Sequence, residues 1–229
     1  MRALALRLLV PAVLTVVAGC RHPAASPDDF VTIDMGDDLD PGCWAEEPPG
    51  SCGTLHELEP AALMGRLDEQ QTTCLETTLA QATRVAVRDR LSRMLMVDAW
   101  GKADEALWLS RARRHVLDID GGDPDISYRL THVLLRVGDA AALEEAMHWS
   151  TLALDRQEMW HGDLWVRRVT ALHRMRTEAA TGLVDQAHPD AASAALRARE
   201  QARRWMAFVH EAGIDDAEAV AAYRRLGGP

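Results

Sequence analysis

The stretch Asp123-Pro-Asp-Ile-Ser-Tyr-Arg-Leu-Thr-His-Val-Leu-Leu-Arg-Val-Gly138 carries a complete helix in its own chemistry. Asp123 is an N-cap residue followed by proline at the first helical position, where a missing N–H costs nothing. Ile126, Leu130, Val133, Leu134 and Val137 then fall at i, i+4, i+7, i+8 and i+11, one face of a 3.6-residue helix. Gly138 supplies the stop. The same period continues through Leu143, Ala146, Met147, Ser150 and Leu154. It returns over five turns in Ala191, Ala195, Ala198, Ala202, Trp205, Met206 and Val209. Gly101 and Gly213 mark further helix ends. No stretch after Pro60 alternates as a strand would, so the body reads as all-α.

The helices are spaced as pairs. Gly101 and Gly138 lie 37 residues apart and Ala106 and Ala146 lie 40 apart; each glycine closes one helix and each alanine sits early in the next. This resembles the tetratricopeptide repeat, a helix-turn-helix unit of 34 residues with small side chains where its helices touch. Leu130, Gly138, Ala146 and Ala153 fit the pattern in one unit, given a short insertion after Asp139. In the unit before it Gly101 and Ala106 fit, while Arg113 stands where a small residue belongs. A third unit would run through Trp165, Val169 and Leu172, with Arg176 in place of the turn glycine. The resemblance covers roughly 84–210. It implies antiparallel helix pairs stacked as a right-handed superhelix with a concave binding face; the alternative is an irregular helical bundle.

In front of that body lies a different kind of sequence. Arg2 and Arg7 precede an apolar run, Leu8 to Val17, too short to span about 30 Å of hydrocarbon and interrupted by Pro11. The run ends in Val17-Ala-Gly-Cys20, which resembles the lipobox of bacterial lipoproteins. The resemblance implies cleavage before Cys20 and its acylation; each buried methylene contributes about 0.8 kcal/mol, so several chains anchor firmly. Arg21 stands where an aspartate would favour inner-membrane retention in enteric lipoproteins, which implies the outer membrane, facing the periplasm. The expected organisation is a signal peptide over 1–19, a lipidated acidic linker over 20–57 and a helical domain over 58–229.

Charge is distributed unevenly. The chain carries −10, and loss of Arg2 and Arg7 with the signal takes it to −12, which argues against nucleic acid as a partner. From Pro23 to Gly65 there is no Lys or Arg but ten carboxylates, among them Asp28, Asp29, Asp34, Asp37, Asp38 and Asp40. Such a run reads as a solvated linker extended by self-repulsion, or as a strip lying along an arginine-rich face of the body. An exported chain meets an oxidising compartment. Cys43 and Cys52 bracket the turn Pro48-Pro49-Gly50 and are the expected disulfide; Cys52 with Cys74 is the alternative, stapling the tail to the first helices.

Reactive constellations are not apparent in the sequence. No H-E-x-x-H, G-x-S-x-G or phosphate loop occurs. Asp118 to Asp125 looks like a calcium loop but has Gly122 and Arg129 where an EF-hand needs oxygen ligands. The expectation is therefore no catalytic residue, metal or cofactor. Trp100, Trp108, Trp149, Trp165 and Trp205 lie in helices and are expected in the core; Trp44 and Trp160 lie in connections, equally open to a partner surface. In a repeat array the groove positions would fall at Arg88, at Tyr128, His132 and Arg136, and at Asp163, His173 and Arg174. Arginines there would suit a carboxylate-bearing peptide, the chain's own residues 28–47 included. The expected function is a protein-interaction scaffold or assembly factor in an envelope machine (pilus, secretion, motility or outer-membrane assembly). A peptidoglycan- or lipid-acting envelope enzyme and a simple structural spacer are the competing readings.

Overall fold

The computed structural model describes residues 52–186 and 191–228. Cys20, Cys43, Trp44 and the acidic residues up to Glu47 lie outside them. Nine α-helices occur among the described residues, and no strand: α1 Leu55–Leu63, α2 Glu69–Gln81, α3 Val85–Gly101, α4 Glu105–Asp118, α5 Pro124–Val137, α6 Ala140–Asp155, α7 Gly162–Asp185, α8 Ala191–Glu211 and α9 Ala217–Arg225. The all-α expectation holds. No described helix is long and apolar enough to cross a membrane.

Helix starts follow side-chain chemistry. Asp68, Asp104, Asp123, Asp139 and Asp216 each cap a following helix by accepting backbone N–H groups of its first turn. The first start lies earlier than expected. Thr54 and Glu57 form a capping box, so α1 begins at Leu55 and carries Pro60 inside it, instead of starting beyond that proline. Glu57 thereby leaves the acidic linker and becomes a cap residue, and Glu59 pairs with Arg90 of α3.

Each helix packs on the next from α3 to α9, with α1 and α2 both laid against α3 and α5 also touching α7. Connections of a few residues, as at Gly138-Asp139, make the neighbours antiparallel. Two apolar cores meet on α3. Val87, Leu91, Met94 and Leu95 belong to a cluster with Leu58, Leu67, Leu75 and Leu79, while Met96, Val97 and Ala99 join Trp108, Ile126, Leu134 and Trp149. A helix with cores on both sides loses a single apolar stripe, which is why α3 shows no clean period in the sequence.

The disulfide joins Cys52 to Cys74 on α2, with Cα atoms 5.4 Å apart, and not Cys43 to Cys52. The physical reason is packing: Cys52 is buried beside α2, where Cys74 comes within bonding reach. Closing a loop of 22 residues restricts the unfolded chain by about 3 kcal/mol in the entropy picture.

Three repeat positions differ from expectation. Ala106 is exposed instead of packed between helices. Arg113 reaches out from α4 to make a bidentate pair with Glu145 of α6, at 2.6 and 2.5 Å. At Arg176 the chain does not turn: α7 runs on to Asp185, and Arg176 lies buried near Arg204 and Asp155. Trp160, a candidate for exposure, is buried at 4 % and donates its indole N–H to Asp125 at 3.0 Å.

Gly101 does more than end a helix. A Cβ placed there would stand 2.5 Å from the backbone nitrogen of Gly65, so the two glycines allow α1's exit to cross α3's last turn. Helix propensity predicts that Gly101→Ala stabilises by about 1 kcal/mol; the crossing predicts a loss of about 1–3 kcal/mol from overpacking. Urea unfolding of Gly101→Ala should show the loss.

Candidate functional site

His132 and Arg136 leave the same face of α5, one turn apart, and Arg174 approaches them from α7. Burial lowers the proton affinity of His132, and the charges of Arg136 and Arg174 lower it further, with Glu105 opposing. Arg136 also pairs with Glu105 of α4 at 3.2 Å and lies over the Trp100 ring at 5.9 Å. Arg174 stands 3.7 Å from Glu178 and 3.9 Å from Glu218 of α9, both pairs well exposed. Long, exposed pairs of this kind contribute little stability. They leave charged groups ready to exchange partners.

Two hollows open beside that Arg174–Glu218 contact. One, of about 500 Å³, lies over Thr177, Gly182, Ala222 and Leu226; the other, of about 300 Å³, lies over Val166, Ala171 and Ile214. Arg174, Glu218 and Trp205 line both, so they form one groove between α7, α8 and α9, divided by an ion pair. Trp205 is only 3 % exposed, and its indole N–H has no hydrogen-bond partner among the described residues.

Of the expected groove residues only Arg174 lines this groove; His132 and Arg136 do not, and the remaining candidates lie elsewhere. Arg88 lines a separate cavity with Arg114, near the end of α4. Tyr128 is taken up in packing, edge-on to Trp160 at 6.4 Å and covered by the Arg168 guanidinium at 4.1 Å. Asp163 is exposed in the first turn of α7, where the helix dipole favours an acid. His173 faces Phe208 of α8, ring centroids 5.3 Å apart. The array is irregular enough that equal spacing along the sequence does not keep residues on one surface.

The most concentrated polar cluster was not legible in the sequence as a cluster. Asp123 Oδ1 accepts the N–H groups of Asp125 and Ile126, capping α5 at 2.9 and 3.0 Å. Its Oδ2 accepts from Arg93 of α3 and lies 3.2 Å from His115 Nε2 of α4. Arg93 also donates to Asp89 at 3.0 Å, and His115 Nδ1 meets Ser92 Oγ at 3.1 Å. Burial alone would push the Asp123 carboxyl up, but the Arg93 charge and the bond and charge of His115 outweigh it and hold it well below the usual range. Burial likewise works against the Arg93 cation, and Asp123 and Asp89 overcome it. The readable signals were the Asp89/Arg93 spacing and a histidine in phase with Trp108 and Ala112.

Two chemistries have to be weighed at this cluster. Asp89, His115 and Asp123 present ligand atoms within 4.8 Å of one another, close enough to share one ion. Arg93, however, already bonds both carboxylates and supplies the positive charge, so an ion would have to displace it. Ser92, His115 and Asp123 also stand in hydrogen-bonded order, as in a nucleophilic triad. His115 is 0 % and Ser92 4 % exposed, so no substrate reaches the hydroxyl in this conformation. The cluster joins three helices and holds them. Comparison with family models, with curated proteins and with solved structures finds no match to this chain.

These environments lead to two expected outcomes. Arg93→Leu leaves two carboxylates facing each other inside the protein and should cost about 3–5 kcal/mol, read by thermal or urea unfolding. His173 is pushed down to about 4 by burial, with Arg176 and Arg204 adding to it. The unfolded chain binds that proton near pH 6.5, so stability should fall as pH drops from about 6.5 to about 4. In His173→Phe, the same series of melting temperatures should fall less steeply over that window.

Proposed function

We propose that this chain is an exported lipoprotein, acylated at Cys20 and held at the outer membrane facing the periplasm, whose helical body binds a protein partner in an envelope assembly. Its helix pairs, in this reading, stack in tetratricopeptide-like fashion. Neighbour-to-neighbour packing from α3 to α9 supports that, as do the contact of α5 with α7 and the burial of Leu130, Ala146 and Ala153. A stack of this kind offers a broad surface to bind along.

The observation that carries the binding reading is the groove between α7, α8 and α9, whose two hollows of about 500 and 300 Å³ share Arg174, Trp205 and Glu218 and are divided by an exposed ion pair. A peptide could open that pair, since Arg174, Glu178 and Glu218 can pair with side chains of either sign. An envelope enzyme is the second reading, favoured by the Ser92–His115–Asp123 order and opposed by its enclosure.

Labelled palmitate should enter the wild-type chain and not Cys20→Ala; a mature chain starting beyond residue 20 without acyl groups overturns the anchor. A photo-crosslinker at Thr181, in the groove, should trap a defined envelope protein, while one at His56 on α1 should not. Adducts from both positions alike, or from neither, overturn the groove.

A further inference from the structure

We infer that residues 28–40, Asp-Asp-Phe-Val-Thr-Ile-Asp-Met-Gly-Asp-Asp-Leu-Asp, dock on the exposed end of α2, α3 and α4 in the same chain, over Val85, Leu117 and the cavity between Arg88 and Arg114.

The surface combines apolar and basic groups with a single acid. A cavity of about 520 Å³ is walled by Leu79 and Ala82 at the end of α2 and by Ile119 after α4, with Arg88 and Arg114 at its sides. Asp118 also lines it, 4.0 Å from Arg114 in an exposed pair that an arriving carboxylate can replace. Arg88 donates to the carbonyl of Asp118 at 2.9 Å, which brings the start of α3 against the end of α4. Val85 lies one turn before Arg88 and Leu117 one turn after Arg114, and neighbours at that spacing share a helix face. Both are strongly exposed, Val85 at 61 % and Leu117 at 71 %.

The segment is built to the opposite specification. Asp28, Asp29, Asp34, Asp37, Asp38 and Asp40 carry negative charge with no basic residue among them, interleaved with Phe30, Val31, Ile33, Met35 and Leu39. Its apolar side chains suit Val85 and Leu117, and its carboxylates suit planar guanidinium donors. Tethering makes the encounter intramolecular. Cys52 is bonded to Cys74 on α2, and Leu79 lies five residues further along that helix, a rise of about 7.5 Å. Asp40 precedes Cys52 by twelve residues, a reach of at most about 40 Å. A tether of that length gives an effective concentration on the order of millimolar.

Docking would also set the distance from the membrane, a consequence that rests on the lipid anchor, although the docking itself does not. From Cys20 to Cys52 the chain can span up to about 110 Å; from Cys20 to Asp28 it spans at most about 28 Å. The body would then stay close to the bilayer.

The test uses the chain from residue 20 onward, purified in detergent with no partner or lipid vesicle, so that its failure leaves the groove reading standing. With Phe30→benzoylphenylalanine, illumination should give intramolecular adducts within residues 79–88 and 114–119, mapped by peptide mass spectrometry. Arg88→Glu with Arg114→Glu should cut their yield at least fivefold. Leu117→Asp alone should also lower it, at an exposed position where a folding defect is not at issue. Adducts scattered along the body, adducts to the groove near Trp205, adducts between two copies, or a yield unchanged in Leu117→Asp would each overturn the proposal.

Discussion

The carboxylate of Asp123 is charged, buried and bonded at both oxygens, and the arrangement of the helices depends on it. One oxygen starts α5; the other receives Arg93 from α3 and faces His115 of α4. A charge in such a place is tolerable only when every bond around it is made, since desolvation costs several kcal/mol per ion. That demand makes the joint selective. A shift of α4 along α3 by one turn would strand Asp89, Arg93 or His115 inside the protein. Apolar contacts between the same helices would accept such a shift far more readily.

A second polar tie secures the other side of α3. Asp98 is fully buried; it accepts the N–H of Leu67 at 3.1 Å and the ammonium of Lys102 at 2.8 Å. Lys102, the single lysine of the chain, also donates to the Leu67 carbonyl. With the Cys52–Cys74 bond and the Gly65–Gly101 crossing, these contacts hold α1 and α2 to α3. The N-terminal end is thus tied by covalent and charged links. The groove at the far end is divided only by long, exposed ion pairs around Arg174, whose rearrangement costs little. A rigid N-terminal end and an adaptable groove at the other end are what the proposed binding scaffold would use.

Much of the architecture is legible in the sequence. Asp123, Pro124 and Gly138 bound α5 as expected, and of the apolar period Leu130, Leu134, Ala146, Ala198 and Ala202 are interior while Val137 and Ala195 are exposed. The candidate site was less legible. Of seven residues expected along a groove, His132, Arg136 and Arg174 come together, and Arg88, Tyr128, Asp163 and His173 go to other places. Packing explains this: Tyr128 is used against Trp160 and Arg168, His173 lies against Phe208, and Arg88 sits at the far end of the array. Trp205, expected in the core, is there, but its role at the floor of the groove emerges only once α7 and α9 flank it.

Helix boundaries, caps and buried faces are decided by interactions within a few residues, between a side chain and the backbone one turn away, and these are written in the sequence. The Asp89–His115–Asp123 cluster, the Cys52–Cys74 bond and the groove over Trp205 depend on distant residues brought together by packing: 34 residues separate Asp89 from Asp123, 22 separate the cysteines and 44 separate Arg174 from Glu218. Nothing in local spacing encodes which helix will lie against which, because each amphipathic face gains nearly the same free energy from any apolar neighbour. The choice is made by the whole set of buried charges and close crossings being satisfied at once, and that condition exists only in three dimensions.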